Sequence, residues 1–98
     1  MFGDPVDAAT AESWGLANRV VQHGATLPTA LSWARRLAEG PTLALGMTKL
    51  RLLNEQHMDL VSALESEAEA QALLMMARDH RAFYEAFTAK TEPKFEGR

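Results

Sequence analysis

The sequence predicts a mainly α-helical fold, a small bundle of about five helices with one short strand that lacks a partner. Apolar residues recur at intervals of three and four along several segments, the spacing that places side chains on one face of a helix. Gly24 and the pair Gly40-Pro41 separate these segments. Residues 16–22 alone are typical of a strand, with the β-branched pair Val20-Val21 at their centre.

The first helix is expected to follow Asp7, whose carboxylate can accept hydrogen bonds from the free N–H groups of a first helical turn. Gly15 ends this helix, because glycine readily adopts the left-handed conformation common at that position. The strand predicted next cannot satisfy its own backbone groups, and no second convincing strand occurs in the 98 residues. The unpartnered strand indicates that part of the fold is missing.

Four more helices are expected downstream. The second begins near Thr26 and ends at Gly40-Pro41, which also starts the third. The fourth and longest covers roughly residues 57–78, where apolar side chains keep helical spacing. Asp79 is interpreted as the N-cap of the fifth helix, which runs to about residue 90.

Leucines cover a wide arc of the third helix, at positions 43, 45, 50, 52 and 53. A chain this short has little interior in which to bury them all. We therefore expect part of the apolar surface to face another chain, or a part of the protein outside these 98 residues.

Composition narrows the classes of function. The formal net charge is -3 and the isoelectric point is near 5.5, which argues against nucleic acid as a partner. The absence of cysteine excludes disulfides, thiolate metal sites and cysteine nucleophiles. No apolar run approaches the roughly 18 residues of a membrane span, and the first residues do not have the pattern of a signal peptide. We expect a cytoplasmic protein.

No catalytic or metal site is predicted. The three histidines, His23, His57 and His80, have no second ligand on the same helix face and are expected at the surface. Glu65, Glu67 and Glu69 would fan over different faces of the fourth helix, so a solvated acidic surface is expected, with Glu67 paired to an arginine.

Phe87 and Lys90 are three residues apart on the fifth helix, adjacent on one face. A ring beside an ammonium group could hold an adenine and a phosphate together. The residues alone favour the other interpretation, in which Phe87 packs in the core and Lys90 is a solvated edge.

Two stretches resemble the crotonase superfamily, the enoyl-CoA hydratases and isomerases. The first has Gly3, the helix after Asp7, and then Gly-Leu-Ala-Asn-Arg-Val from Gly15, similar to the family's Gly-Leu-Val-Asn-x-Val. The second is similar to the family's closing Ala-Phe-x-x-Lys-Arg-x-Pro-x-Phe-x-Gly, here between Ala86 and Gly97. The sequence departs from the pattern where Ala82-Phe83 replaces Glu-Gly, where Thr91 replaces arginine and where Ala17 replaces valine.

The resemblance implies that the chain is the C-terminal part of the crotonase fold. Residues 1–24 would end the family's spiral core and residues 25–98 would form its helical C-terminal domain. The catalytic groups would lie in the absent part, so no catalytic residue is assigned here. Phe87 and Lys90 match family positions that help hold the CoA nucleotide. The intact enzyme would use acyl-CoA as its substrate, while the chain itself would bind no cofactor.

The family also assembles as trimers or hexamers, so a homo-oligomer is expected, with no nucleic acid or membrane partner. The activity implied is hydration or isomerisation of an acyl-CoA through a thioester enolate. The alternative is a stand-alone helical interaction module without catalysis.

Overall fold

The computed structural model of the chain describes residues 2–98. The elements are α1 (Ala8–Ser13), α2 (Thr26–Ala38), α3 (Thr42–Glu55), α4 (Leu60–Met75) and α5 (Arg78–Ala89). The prediction of a mainly α fold with five helices is confirmed. The chain separates into two compact units: one ends at Ser32 and the other is Trp33–Arg98.

Helix α1 begins as the sequence predicts. The carboxylate of Asp7 accepts a 2.7 Å hydrogen bond from the backbone N–H of Thr10, and this bond is the main cause of the lowered pKa of Asp7. Gly15, with φ at 76°, follows the helix, and the next N–H, that of Leu16, donates to the carbonyl of Ala11. A left-handed glycine thus ends the first helix.

The strand predicted for residues 16–22 is wrong for this chain. Residues 2–98 contain no β-strand, because a strand needs hydrogen bonds from a neighbouring strand and none is within reach. The N–H of Val20 donates instead to the side-chain Oε1 of Glu12, at 2.9 Å. A local carboxylate therefore takes a bond that a strand partner would otherwise accept.

In the second unit, α3 contacts α4 and α4 contacts α5. Within the described part of the chain, the buried residues are small or polar: Ser66, Ala70, Asp79 and Ala86. Many large apolar side chains on α2 to α5 and at the helix borders stay exposed, including Leu60 and Met76. This exposure agrees with the expectation that 98 residues cannot cover all the apolar faces of the helices.

Two helix starts differ from the sequence predictions. Helix α4 begins at Leu60, three residues later than expected, because Asp59 caps it by accepting from the N–H groups of Val61 and Ser62. Helix α5 begins at Arg78, and Asp79 lies in its first turn rather than at the N-cap. The Asp79 carboxylate has other partners, described below.

None of the helices in residues 2–98 combines the length and apolar character that crossing a membrane requires.

Candidate functional site

The two predicted site residues lie together at the C-terminal end of α5. Both side chains are exposed, and Phe87 is 73% accessible. The residue of α5 that packs inward near this end is Ala86, which is 8% accessible. The interpretation of Phe87 as a core residue is therefore wrong within this chain, and its ring is free to contact another molecule.

Phe87 is stacked on a second ring. The ring centroids of Phe83 and Phe87 are 6.0 Å apart, with 24° between the ring planes. This near-parallel arrangement follows from their spacing, since residues four apart lie above one another on a helix. Aromatic pairs at this separation attract each other beyond the burial of their area. The end of α5 thus presents two rings to solvent.

Lys90 closes α5 in an uncommon backbone conformation. Its φ is 57° and its ψ is 39°, and among residues 2–98 it is the one non-glycine residue with positive φ. The N–H of Lys90 donates to the carbonyl of Phe87, and the N–H of Thr91 donates to the carbonyl of Ala86. This pair of bonds is the Schellman arrangement, in which glycine usually occupies the left-handed position.

The C-terminal segment folds back on the start of α5. The carboxylate of Asp79, 5% accessible, accepts hydrogen bonds from the N–H groups of Glu96 at 2.7 Å and Gly97 at 2.9 Å. The N–H of Asp79 donates to the carbonyl of Arg98 at 3.0 Å. The free N–H groups and dipole of the first helical turn also favour a negative charge there. Asp79 is thus an anchor for the tail, and its interpretation as the N-cap is wrong.

A cavity of about 220 Å³ lies where α3, α4, α5 and the tail meet. Its lining is mainly apolar and includes Leu43, Leu74, Phe83 and Phe95. The cavity is smaller than the 300–1,000 Å³, roughly, of sites that enclose small ligands. We therefore interpret it as incomplete packing that also touches the base of the aromatic pair.

A polar cluster joins α3 to α4. The guanidinium of Arg51 donates to the hydroxyl of Ser66, while Arg51 Nε and Glu55 Oε1 are shielded from solvent without hydrogen-bond partners. Burial raises the pKa of Glu55, and a hydrogen bond with Glu67 and the charge of Glu67 raise it further. Glu67 therefore neighbours the carboxyl group of Glu55. The ion pairs formed by the described residues join Glu85 and Glu96 to other arginines, so the expected pairing of Glu67 is not found.

The histidines lie at the surface, as expected. His23, His57 and His80 are all exposed. In the described part of the chain, no group of three or more histidine and carboxylate side chains is placed to hold a metal ion.

Sequence reasoning missed two contributors to this region. Phe83 lies four residues before Phe87, so the two rings share a helix face, but no local signal indicates that both rings are exposed. The tail-anchoring role of Asp79 was missed because a carboxylate at the start of a helix usually caps it. The glycine at position 97 was the available signal, since it permits the turn that brings the tail to Asp79.

The family of the chain follows from comparison with known proteins. The model of the enoyl-CoA hydratase/isomerase family matches residues 1–98. The chain therefore belongs to the enoyl-CoA hydratase/isomerase family, which confirms the resemblance to the crotonase superfamily.

Comparison with individual proteins indicates the same family. The chain is 33% identical over 98 residues to the 1,2-epoxyphenylacetyl-CoA isomerase of Escherichia coli K12 and 32% identical to the 2,3-dehydroadipyl-CoA hydratase of the same strain. It covers 37% and 38% of their lengths, and all of its own residues take part. Among solved structures, a protein of Streptomyces coelicolor A3(2) described as an enoyl-CoA hydratase is similar with a TM-score of 0.95 and 45% identity. That match covers 100% of this chain and 36% of the solved one.

The chain thus spans less than two fifths of the length of these relatives.

Proposed function

We propose that this chain is the C-terminal region of an acyl-CoA hydratase or isomerase, and that it supplies part of the binding site for the CoA nucleotide through Phe87 and Lys90. The substrate of the intact enzyme is an acyl-CoA, and the reaction passes through a thioester enolate. The groups that stabilise and protonate this enolate belong to the rest of the enzyme, so the chain alone is inactive.

The conformation of Lys90 is the observation that carries the nucleotide site. A side chain in the left-handed region costs roughly 1–2 kcal/mol, and a glycine would avoid this cost. Strain of this kind points to a use for the side chain that is retained. Its ammonium group suits a phosphate, and the exposed ring of Phe87 lies one helical turn before it.

The exposed ring supports the same assignment. An aromatic face is a surface on which a purine base can stack, with a gain of roughly 1–3 kcal/mol per base. A ring that is 73% accessible, next to a lysine, joins the two chemical features of an adenosine phosphate recognition site. The nucleotide half of CoA carries both an adenine and phosphates.

Placement at the C-terminal end of the enzyme rests on the closing motif between Ala86 and Gly97. The exposed apolar faces of the helices support the presence of further protein against them. We infer that they pack on the remainder of the enzyme and on neighbouring subunits of a homotrimer or hexamer, in the cytoplasm. This extent of apolar exposure disfavours the stand-alone interaction module.

The nucleotide site is tested by the affinity of the complete enzyme for CoA. We expect Lys90→Glu and Phe87→Ala each to weaken CoA binding by about tenfold, as measured by isothermal titration calorimetry. Lys94→Glu is the matched control, since Lys94 is an exposed lysine of the neighbouring tail and makes the same change of charge. Unchanged affinity in Lys90→Glu, or equal losses in both lysine variants, would contradict the assignment.

The placement and the inactivity have separate tests. The reading frame that encodes the chain should continue upstream into the remainder of the enzyme; a frame that continues only downstream would make the C-terminal placement wrong. The purified 98-residue chain should give no measurable hydration of crotonyl-CoA. Turnover by the chain alone would show that it holds catalytic groups of its own.

A further inference from the structure

The side chain of Phe83 borders two different features of the structure. One is the ring of Phe87, whose centroid lies 6.0 Å away. The other is the apolar cavity between α3, α4, α5 and the tail, which Phe83 lines together with Leu74 and Phe95. Phe83 is half-exposed, at 51%, whereas Phe87 is exposed at 73% and is absent from the cavity lining. Phe83 thus connects the outer ring to the packed part of the unit.

An exposed ring on its own is a poor binding surface, because its side chain must lose rotamer freedom when a ligand stacks on it. A second ring stacked against one face restricts that freedom before the ligand arrives. The two rings are nearly parallel, with 24° between their planes, and Phe87 keeps 73% of its surface exposed, so surface of its ring remains available for stacking. Preorganisation of this kind raises affinity without adding a contact to the ligand.

We propose that Phe83 is a positioning residue that fixes the ring of Phe87 for stacking of the purine base of CoA. This inference rests on the nucleotide site proposed above. Phe83 acts through Phe87, and its own ring also lines the apolar cavity. It determines affinity for the adenosine part of the ligand and leaves affinity for the pantetheine part unaffected.

The stacking energy of an aromatic pair corresponds to a factor of about two to ten in an equilibrium constant. We therefore expect Phe83→Ala in the complete enzyme to raise the Kd for CoA by about two- to tenfold. The Kd for 4′-phosphopantetheine, which lacks the adenosine, should stay the same. Phe83→Tyr keeps the ring and should restore the affinity for CoA.

The control for cavity packing is Phe95→Leu. Phe95 lines the same cavity but does not form the ring pair. Thermal unfolding of each variant establishes that it folds, and Phe83→Leu replaces Phe83→Ala if the alanine variant does not. Selective loss of CoA affinity in the Phe83 variants, and not in Phe95→Leu, supports the positioning role. Equal losses for CoA and 4′-phosphopantetheine would overturn it.

Combining Phe83→Ala with Phe87→Ala separates the two proposals. If Phe83 acts through Phe87, its substitution should change the Kd for CoA no further once Phe87 is alanine. If Phe87→Ala weakens CoA binding and Phe83→Ala does not, the positioning role is wrong and the nucleotide site stands. If Phe87→Ala itself has no effect, the nucleotide site and the inference that rests on it are both wrong.

Discussion

The carboxylate of Asp79, in the first turn of α5, accepts a 2.9 Å hydrogen bond from the backbone N–H of Gly97, 18 residues further along the chain. Its other oxygen accepts from the N–H of Glu96 at 2.7 Å. One buried side chain thus holds two consecutive backbone groups of a segment that has no helix or strand of its own. The tail fixed in this way carries Phe95, which lines the cavity beside Phe83.

Replacing Asp79 should release this tail. We expect Asp79→Ala to lower the free energy of unfolding by about 2–4 kcal/mol, because two N–H groups lose a charged acceptor. Asp79→Asn keeps one acceptor oxygen and should cost less. Urea denaturation of the purified chain measures both changes, and hydrogen exchange at the amide of Gly97 reports the tail directly. Glu92→Ala removes an exposed carboxylate of the same tail, and an equal loss in that variant would contradict the special role of Asp79.

Gly97 should tolerate no side chain. Its φ is 75°, a conformation that L-residues rarely adopt, and a Cβ built there would lie 2.5 Å from Oγ1 of Thr42. We expect Gly97→Ala to destabilise the chain by about 1–3 kcal/mol, as measured by urea denaturation. In a Thr42→Ala background the steric part should disappear and only the backbone strain should remain. An identical loss in both backgrounds would mean that Thr42 does not restrict this position.

The helices could be predicted from the sequence, whereas the contacts of the tail could not. Helical spacing, Asp7 and Gly15 are local signals, and they indicated elements that the structure confirms. Residues 16–22 have strand-forming side chains, but a strand depends on a partner that no local signal supplies. The same limit applies to Asp79, whose partners are 17 and 18 residues away.

The candidate site, too, could be predicted from the sequence only in part. The spacing of Phe87 and Lys90 predicted adjacent positions on one face of α5, and Phe83, four residues before Phe87, is stacked on the ring of Phe87. The exposure of these particular rings could not be predicted, because an apolar ring at helical spacing is usually buried and no local signal shows which apolar side chains stay uncovered. The left-handed backbone of Lys90 was also unforeseen, since glycine is the usual residue at this position.

Glu55 should make the stability of the chain fall as pH rises. Burial, and then the neighbouring Glu67, raise the pKa of Glu55 above its ordinary value of 4.5. The folded state therefore binds the proton more tightly than the unfolded state. The resulting stabilisation is complete below pH 4.5 or so and is lost as pH rises through the folded-state pKa.

Glu55→Gln removes this titration. We compare the free energy of unfolding of Glu55→Gln with that of the unmodified chain. The difference should shift in favour of the variant as pH rises from about 4 to about 8. Urea denaturation at a series of pH values measures it. Glu65→Gln, at an exposed position of α4, controls for the loss of one negative charge. Glu67→Gln should weaken the effect, because it removes the charge that opposes ionisation of Glu55. A difference that is constant with pH would exclude the proposed coupling.

Lys90→Gly should separate stability from binding. Glycine adopts a φ of 57° without the strain that Lys90 bears, so the Schellman arrangement at the end of α5 should become more favourable. The greater freedom of glycine in the unfolded chain offsets part of this gain. We expect a net stabilisation of about 0.5 kcal/mol, measured by urea denaturation. The same variant should lose CoA affinity in the complete enzyme, because the ammonium group that binds phosphate is gone.

Lys90→Ala is the matched control for Lys90→Gly. It keeps a Cβ, and with it the strain of the left-handed conformation, but it lacks the ammonium group. It should therefore bind CoA as weakly as Lys90→Gly without becoming more stable than the unmodified chain. If Lys90→Gly were no more stable than Lys90→Ala, the backbone at this position would not be strained, and the retention of a lysine there would no longer point to a binding role. If both variants kept full CoA affinity, the strain would exist for another reason than the nucleotide.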